Sequence, residues 1–308
     1  MPLVSVIMNV RNGATFLREA LDSVLSQTFG DWELIVWDDC STDNSAQIVH
    51  QYEDKRIRYF LSPEDTPLGK ARDSAIQQAT GEWLAFLDQD DIWLPRKLEK
   101  QMALAESNVG IIYGRTVTFD AGHGNRCDYD YVHEFSVLPE GDIFAQLFAD
   151  ACFIAMSSAV LRRSAVEEAG RIPAAIRVIP DYYLYAAVAR NYQARAVQDV
   201  VCRYRLHAGS MSRSNRPRLH LEPLFVIDKW ADCLDPKIVA YRRMTYSTAL
   251  AWEEMQAGKS FIAGLKRLWS QGSWLWLLSR PGVRVWREVR RKLRRPYWLG
   301  TELASGRD

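Results

Sequence analysis

Short apolar segments alternate with helical segments over the first 91 residues, and this alternation constrains the fold more than any other feature of the chain. The apolar runs are rich in β-branched and aromatic residues, which is typical of buried strands. Repeated strand–helix–strand units predict a parallel sheet with helices on both faces. The predicted strands are Leu3–Met8, Trp32–Trp37, Ile57–Leu61 and Trp83–Leu87, and the predicted helices are Phe16–Leu25, Leu68–Ala79 and Asp91–Glu106.

Two groups of aspartates follow predicted strands. The first acidic cluster, Asp38 and Asp39, follows the second strand, and the second acidic cluster, Asp88, Asp90 and Asp91, follows the fourth. Because ligands of parallel sheets bind beyond the carboxyl ends of the strands, we expect the two clusters to meet in one crevice. Three adjacent carboxylates repel one another unless a divalent cation lies among them. The alternative is a solvated loop or a helix N-terminus, where aspartate is also common.

Four segments of the chain form a recognisable set: Val4–Asn9 with Asn12-Gly13, Trp37–Asp43, Gly69–Asp73 and Phe86–Asp91. In order and spacing they resemble segments of family 2 glycosyltransferases with the GT-A fold. The resemblance is strong over about the first third of the chain and weaker to about residue 210. It implies an α/β fold, with a Rossmann-like, mostly parallel central sheet flanked by helices and a C-terminal helical extension.

The resemblance implies a nucleotide diphosphate sugar as donor, with UDP favoured. Asp39 is similar to the acid that reads the base through its ring N–H, although the roles of Asp38 and Asp39 could be reversed. Arg72 resembles a basic residue near the base and diphosphate, and its alternative is a surface helix arginine. The implied nucleotide-sugar-binding residues are Met8, Asn9, Asp38, Asp39, Arg72, Asp88, Asp90 and Asp91.

The resemblance also implies a bound Mn²⁺ or Mg²⁺. Asp88 and Asp90 are similar to the metal and ribose pair, with Asp90 the favoured metal ligand, and Asp91 could cap the next helix. His207 lies in a Tyr-Arg-x-His segment in which the histidine of many bacterial members approaches the metal or diphosphate. A structural role for a single histidine is the alternative. The implied metal ligands are therefore Asp90, Asp88 and His207.

A base must accept the proton of the attacking hydroxyl in an inverting transfer. In the resembled family this acid opens a helix after a loop, and the segment beginning Ile179-Pro180-Asp181 fits that position. Asp181 is the only acid between Arg171 and Gln198 and is the candidate catalytic residue. Proline followed by aspartate is also an ordinary helix start. Two residues depart from the family pattern: Cys40 stands where glycine is usual, and Asp73 where asparagine is usual.

Composition says little about the function of the protein, but the cysteine pattern indicates its cellular compartment. The formal net charge is +1, and the five cysteines are scattered without a Cys-x-x-Cys pair. This pattern favours reduced thiols in the cytosol over a disulfide framework or a zinc site. The chain enters a strand at once, so we expect no signal peptide. No apolar run reaches the roughly 18 to 20 residues that a membrane-spanning helix needs.

The C-terminal region has a different composition. Residues 259–298 contain eleven Lys and Arg residues, one acid and five tryptophans. Basic amphipathic helices with tryptophan favour an anionic membrane surface, so we expect peripheral contact with the inner face of the cell membrane. Packing of the tryptophans on the catalytic domain is the alternative. Basic aromatic segments also bind nucleic acid, but nothing else in the chain supports that, and we expect no nucleic acid partner.

The sequence as a whole predicts an inverting, metal-dependent glycosyltransferase. It would move a hexose from the donor to a hydroxyl of a glycan or lipid-linked oligosaccharide in cell-surface polysaccharide synthesis. A sugar-nucleotide nucleotidyltransferase and a non-catalytic nucleotide-sugar-binding protein are the alternatives. Three regions are expected: residues 1–115 for the donor, residues 116–215 for the acceptor and catalysis, and residues 216–308 as a helical, basic, Trp-rich region.

Overall fold

The computed structural model describes residues 1–120, 129–130, 136–150, 152–211 and 215–256. The chain divides into two compact units, residues 1–208 and 209–308. The basic, Trp-rich segment 259–298 lies outside the described residues, so its predicted membrane contact stays a prediction. The boundaries expected after residues 115 and 215 also stay predictions.

The first unit begins with the predicted alternation of strands and helices. Its strands β1, β2, β3 and β4 are parallel neighbours, in the spatial order β3-β2-β1-β4. The predicted mostly parallel sheet of a Rossmann-like fold is therefore confirmed for this region. The elements are β1 (Val4–Val10), α1 (Leu17–Leu25), β2 (Trp32–Asp38), α2 (Ser45–His50), β3 (Ile57–Leu61), α3 (Leu68–Ile76) and β4 (Trp83–Phe86).

The same sheet continues through strands that come later in the chain. Over the described residues it contains nine strands, and beyond β4 its order is β8-β6-β9-β5, with β7 pairing with β6. The two longest strands, β6 and β9, run parallel to each other. The later elements are β5 (Ile92–Trp93), α4 (Lys97–Met102), β6 (Val109–Asp120), β7 (Tyr129–Asp130), α5 (Phe144–Ala149), a 3-10 turn (Met156–Ser158), β8 (Val160–Arg162), α6 (Arg163–Ala169), α7 (Pro180–Ala189) and β9 (Gln193–Leu206).

The helix predicted over Asp91–Glu106 is wrong in its first turns. Residues 92 and 93 instead form β5, which pairs antiparallel with Arg203 and Cys202 of β9. Helix α4 begins only at Lys97. A residue before proline is disfavoured in helical conformation, so the helix does not include Leu94, which precedes Pro95. The amide of Leu94 bonds to the carbonyl of Val201 at 2.9 Å, which completes the pairing with β9.

The core of the first unit lies between the sheet and its helices. Alternate residues of β1 and β2 point to one side, where they pack with the apolar face of α1. This burial holds the carboxyl ends of β1, β2 and β4 in fixed positions, and the two acidic clusters follow these ends. The residues concerned are Val4, Val6, Met8, Leu34 and Val36 from the strands, and Leu17, Ala20, Leu21 and Val24 from α1.

The described part of the second unit is helical. Helix α8 (Arg216–Trp230) and helix α9 (Pro236–Gln256) pack against each other. Pro223 lies inside α8, and Arg243 of α9 pairs with Asp228 of α8 at 2.7 Å. The predicted C-terminal helical extension is confirmed over these residues.

Candidate functional site

The two carboxyls of the first acidic cluster have different surroundings. Asp38, the last residue of β2, accepts a hydrogen bond from the backbone amide of Ser41 at 2.7 Å and one from the hydroxyl of Tyr59 at 2.8 Å. Asp39 accepts hydrogen bonds from the hydroxyl of Thr66 at 3.0 Å and from its amide at 3.2 Å. Burial raises the pKa of the Asp39 carboxyl, and the Thr66 hydrogen bonds oppose the rise. Asp38 is thus occupied by internal donors.

Arg11 joins the first acidic cluster to the loop of the second. Its guanidinium forms a two-point ion pair with Asp65 and lies 3.6 Å from the Asp39 carboxylate. Its backbone amide donates to the Gln89 side chain at 2.8 Å, and the Gln89 amide donates back to the Arg11 carbonyl at 3.2 Å. A Cβ on Gly13 would lie 2.3 Å from Gln89 Oε1, so glycine permits this close approach. The structure therefore brings both clusters to the same edge of the sheet.

Arg72 lies behind the second acidic cluster rather than on the surface. It is only 3% exposed, and its Nη2 donates to Asp88 at 2.6 Å while its Nε reaches the Asn9 side-chain oxygen at 3.4 Å. Burial raises the pKa of Asp88, the Arg72 charge opposes the rise, and the Asp90 charge adds to it. The amide nitrogen of Asn9 has no hydrogen-bond partner among the described residues. The alternative of a surface arginine is therefore excluded by the burial of Arg72.

Asp91 points into the protein. It is 1% exposed, accepts a very short hydrogen bond from the hydroxyl of Ser157, and accepts another from the backbone amide of Arg205 at 2.9 Å. Burial raises the pKa of Asp91 well above its usual value, and the charges of Asp90 and Asp88 add to the rise. Its predicted part in donor binding stays untested, and its burial favours an anchoring role.

Asp90 is partly exposed, as is Asp88, and His207 lies against it. His207 Nε2 is 2.7 Å from Asp90 Oδ2, although 117 residues separate them in sequence. Arg205 supports this pair, because its Nε donates to the Asp90 carbonyl at 2.7 Å. The Arg205 guanidinium lies between the rings of Phe16 and Phe119, at 4.4 and 4.5 Å. The histidine and the aspartate predicted as metal ligands thus meet.

Asp181 lies in the first turn of helix α7, directly after Pro180, which is the first residue of the helix. Burial raises its pKa to about 6, while the amide of Tyr182 and the charge of Arg72 oppose the rise and Asp88 adds to it. Helix α3, which carries Arg72, comes very close to the loop before α7: a Cβ on Gly69 would lie 2.2 Å from the carbonyl oxygen of Ile176. This packing explains how Asp181 comes within electrostatic range of the second acidic cluster.

Met8 differs from the other predicted site residues. Its side chain is fully buried in the core, so only its backbone is left to face a ligand. Four residues that the structure places at the site have no role predicted from the sequence. Arg205 lies inside the Tyr-Arg-x-His segment and could have been found there, whereas the others lie outside every segment that was singled out. The four residues are Arg11, Thr66, Ser157 and Arg205.

The second acidic cluster has a ligand set that suits a divalent cation. Asp90 and His207 offer a carboxylate oxygen and an imidazole nitrogen, which Mn²⁺ accepts and which leaves coordination positions for phosphate oxygens or water. Within residues that the structure describes, no group of three or more His, Cys, Asp or Glu side chains is arranged to hold a metal on its own. A cation would therefore need ligands from a bound nucleotide as well.

Comparison with known proteins agrees with this geometry. The family model described as Glycosyl transferase family 2 matches residues 5–170, more than half of the chain. The chain is 30% identical over 220 residues to WfgD of Escherichia coli, a UDP-Glc:alpha-D-GlcNAc-diphosphoundecaprenol beta-1,3-glucosyltransferase, and the match covers 68% of this chain and 79% of WfgD.

Two solved structures share the fold. TarS 1-349 of S. aureus in complex with UDP-GlcNAc matches with a TM-score of 0.57 and 18% identity, covering 87% of this chain and 72% of that one. The mannosyltransferase PcManGT of Pyrobaculum calidifontis, in complex with GDP-Man and Mn²⁺, matches with a TM-score of 0.61 and 22% identity, covering 95% and 85%. The GT-A fold is confirmed. With its family model, its relative and its fold in agreement, the chain belongs to glycosyl transferase family 2.

Proposed function

We propose that the protein is an inverting, metal-dependent glycosyltransferase that moves a hexose from a UDP-sugar to a hydroxyl of a lipid-linked glycan. The observation that carries this proposal is the pairing of Asp90 with His207 at one edge of the sheet, with Asp181 in electrostatic range of the same cluster. Family membership favours a glycosyltransferase over a sugar-nucleotide nucleotidyltransferase or a non-catalytic binding protein.

The donor base would bind at the first acidic cluster. A carboxylate accepts several hydrogen bonds at once, so Asp39 keeps capacity for the ring N–H of uracil while it holds Thr66. The Arg11–Asp65 pair lies beside it and would limit the space for the base. The UDP-glucose in the name of WfgD and the UDP-GlcNAc bound by TarS support a UDP donor.

The diphosphate would bind at the second acidic cluster. Asp90 and His207 would hold Mn²⁺ or Mg²⁺. Asp88, the third predicted ligand, already forms an ion pair with Arg72, so the metal would compete with Arg72 for its carboxylate. When bound, such a cation neutralises the charge that develops on the departing nucleoside diphosphate. The Mn²⁺ complex of PcManGT supports this cofactor. Arg72 would contribute a second, fixed positive charge from behind the cluster.

Asp181 would act as the base. Because burial raises its pKa to about 6, the carboxyl is largely ionised at neutral pH and is a stronger proton acceptor than an ordinary aspartate. It would accept the proton of the acceptor hydroxyl as that oxygen attacks the anomeric carbon on the face opposite the leaving diphosphate. One displacement of this kind inverts the anomeric configuration.

The acceptor would be a glycan linked through a diphosphate to a polyprenyl lipid, at the inner face of the cell membrane. The acceptor in the name of WfgD supports this proposal. None of the described helices has the length and apolar character needed to cross a bilayer. The basic, Trp-rich segment 259–298 is the candidate for peripheral contact with the membrane that carries the acceptor.

A transfer assay with defined substrates tests the proposal. The full chain would be incubated with UDP-glucose or UDP-GlcNAc, a synthetic GlcNAc-diphosphate lipid, and Mn²⁺, Mg²⁺ or EDTA. We expect a glycosylated lipid with inverted anomeric configuration in the presence of either metal and none in EDTA. A retained configuration, or equal transfer in EDTA, would contradict the proposal. Glu167→Gln, which alters an exposed ion pair with Arg163, is the control variant.

A further inference from the structure

We propose that Ser157 is a positioning residue that fixes the second acidic cluster so that Asp90 meets His207. The inference rests on the proposed function, because it concerns the residues that would hold the metal and the diphosphate. Ser157 touches neither Asp90 nor His207 in any hydrogen bond of the described residues. Its effect on them runs through Asp91, as the following contacts indicate.

The hydroxyl of Ser157 makes two hydrogen bonds to the acidic loop. It accepts from the backbone amide of Asp88 at 3.1 Å, and it donates to the carboxylate of Asp91. Ser157 is 1% exposed, so both bonds are shielded from bulk solvent. A single hydroxyl therefore holds the loop at both ends, with Asp90 between the two attachment points.

Asp91 passes this constraint to β9. Its second oxygen accepts from the backbone amide of Arg205, which lies two residues before His207. The pairing of Ile92 with Arg203 continues the same register. Because Asp90 precedes Asp91 and His207 lies two residues after Arg205, the hydrogen bond that the Arg205 amide donates to Asp91 sets which residue at the end of β9 faces Asp90. The 2.7 Å contact between Asp90 and His207 follows from that register.

The turn that carries Ser157 is held from behind by other bonds. The indole of Trp93 donates to the Ser157 carbonyl at 2.6 Å, and the Gln101 amide donates to the Ser158 carbonyl at 2.8 Å. Lys97 in turn donates to Gln101 at 2.6 Å. None of these bonds uses the Ser157 hydroxyl. Loss of that hydroxyl should therefore free the acidic loop without releasing the turn.

Ser158 provides a matched control. It is the next residue on the same turn, it is also fully buried, and its hydroxyl donates only to the nearby carbonyl of Ala155 at 2.8 Å. Ser157→Ala and Ser158→Ala thus remove the same atom from neighbouring buried positions. They differ in whether that atom bonds to the acidic loop. Any general cost of removing a buried hydroxyl appears in both variants.

The experiment measures UDP binding to the full chain by calorimetry, with MnCl₂ varied and with EDTA. Residues that orient metal ligands from outside the coordination shell typically contribute about 10- to 100-fold in metal affinity. We therefore expect Ser157→Ala to weaken the apparent Mn²⁺ affinity in the presence of UDP by about that factor, with UDP affinity in EDTA unchanged. Ser158→Ala should stay within about twofold of the unmodified protein in both conditions.

Two further measurements make the result decisive. Melting temperatures of both alanine variants identify any loss of folding, and Ser157→Cys supplies a second variant of similar size whose thiol is a weak donor. An equal loss of Mn²⁺ affinity in Ser157→Ala and Ser158→Ala would overturn the inference. A loss of UDP affinity that is the same in EDTA would overturn it too. Failure of the proposed metal dependence is a separate outcome: the unmodified protein would then show no gain in UDP affinity with Mn²⁺.

Discussion

The two acidic clusters lie at the same edge of one sheet and share a pattern. In each, one carboxyl points inward and anchors the backbone: Asp38 bonds to Ser41 and Tyr59, and Asp91 bonds to Ser157 and to the amide of Arg205. In each, another carboxyl lies beside a basic side chain: Asp39 is 3.6 Å from Arg11, and Asp90 is 2.7 Å from His207. The sequence shows only adjacent aspartates, whereas the structure separates them into an anchoring residue and one that lies beside a basic group.

The clusters differ in the groups that lie beside their carboxyls. In the first, Asp39 has the hydroxyl and amide of Thr66 and a nearby arginine. In the second, Asp88 pairs with Arg72 and Asp90 pairs with His207. A carboxylate beside an imidazole matches the ligands of a divalent cation, whereas a carboxyl among neutral donors suits recognition of an N–H group. The difference supports the proposed binding of the nucleotide base at the first cluster and of the metal and diphosphate at the second.

The largest expected effect lies outside both clusters. Asp181→Asn removes the proposed base without changing the size of the side chain, and general base catalysis contributes about 10²- to 10⁴-fold. We expect kcat to fall by that factor while UDP affinity with Mn²⁺ stays unchanged. Steady-state kinetics and calorimetry on the same preparation measure both. A fall in UDP affinity that matched the fall in kcat would assign Asp181 to donor binding instead.

Asp90→Asn tests the second cluster directly. Residues that only orient a metal ligand contribute about 10- to 100-fold in affinity, so loss of a ligand should cost at least about 100-fold. We expect this loss in UDP affinity measured with Mn²⁺, and almost no change in EDTA. Equal weakening of UDP binding by Asp90→Asn with Mn²⁺ and with EDTA would contradict the assignment of the metal to the second cluster.

Asp39→Asn is the matching change in the first cluster. A hydrogen bond to a charged group contributes about 1.5–3 kcal/mol, which corresponds to roughly a 10- to 150-fold loss of UDP affinity. Because the proposed metal lies at the second cluster, the loss should be the same with Mn²⁺ and with EDTA. Asp38→Asn, at the anchoring position, should lower the melting temperature more than it lowers UDP affinity in the protein that remains folded.

The pH dependence of activity follows from the environment of Asp181. Burial raises its pKa to about 6, and the base must be ionised to accept a proton. Activity should therefore be full above about pH 7 and should fall as pH drops through 6, reaching about one tenth near pH 5. The pH profile of kcat/KM measures this. A profile that stays flat from pH 7 to pH 5 would contradict the assignment of Asp181 as base.

The parts of this fold that were predictable from sequence rest on local patterns. Strands β1 to β4 are short, apolar and bounded by turn residues, so their positions follow from composition. The start of α4 was mispredicted because the pairing of Ile92 with β9 is a contact between residues 111 positions apart in the chain. The direction of Asp91 and the role of Ser157 depend on the same long-range packing. No local pattern distinguishes Asp91 from Asp90.

Cys40 makes the smallest and most local test of the first cluster. It follows Asp39, where the resembled family usually has glycine, and its φ of +59° lies in the left-handed region. That conformation costs a residue with a Cβ about 1–2 kcal/mol, whereas glycine adopts it freely. Glycine loses more chain entropy on folding, by about 0.5–1 kcal/mol, so the net gain for Cys40→Gly should be about 0.5–1 kcal/mol.

Cys40→Ala is the matched control, because it removes the thiol and its weak contact to the Ser62 carbonyl but keeps the Cβ. We expect the glycine variant to be more stable than the alanine variant by about 1 kcal/mol in urea unfolding. We expect no change in UDP affinity, since Asp39 keeps its bonds to Thr66. If the Cys40→Gly variant were more stable but bound UDP less tightly, the strained turn at Cys40 would contribute to binding of the nucleotide base at this cluster.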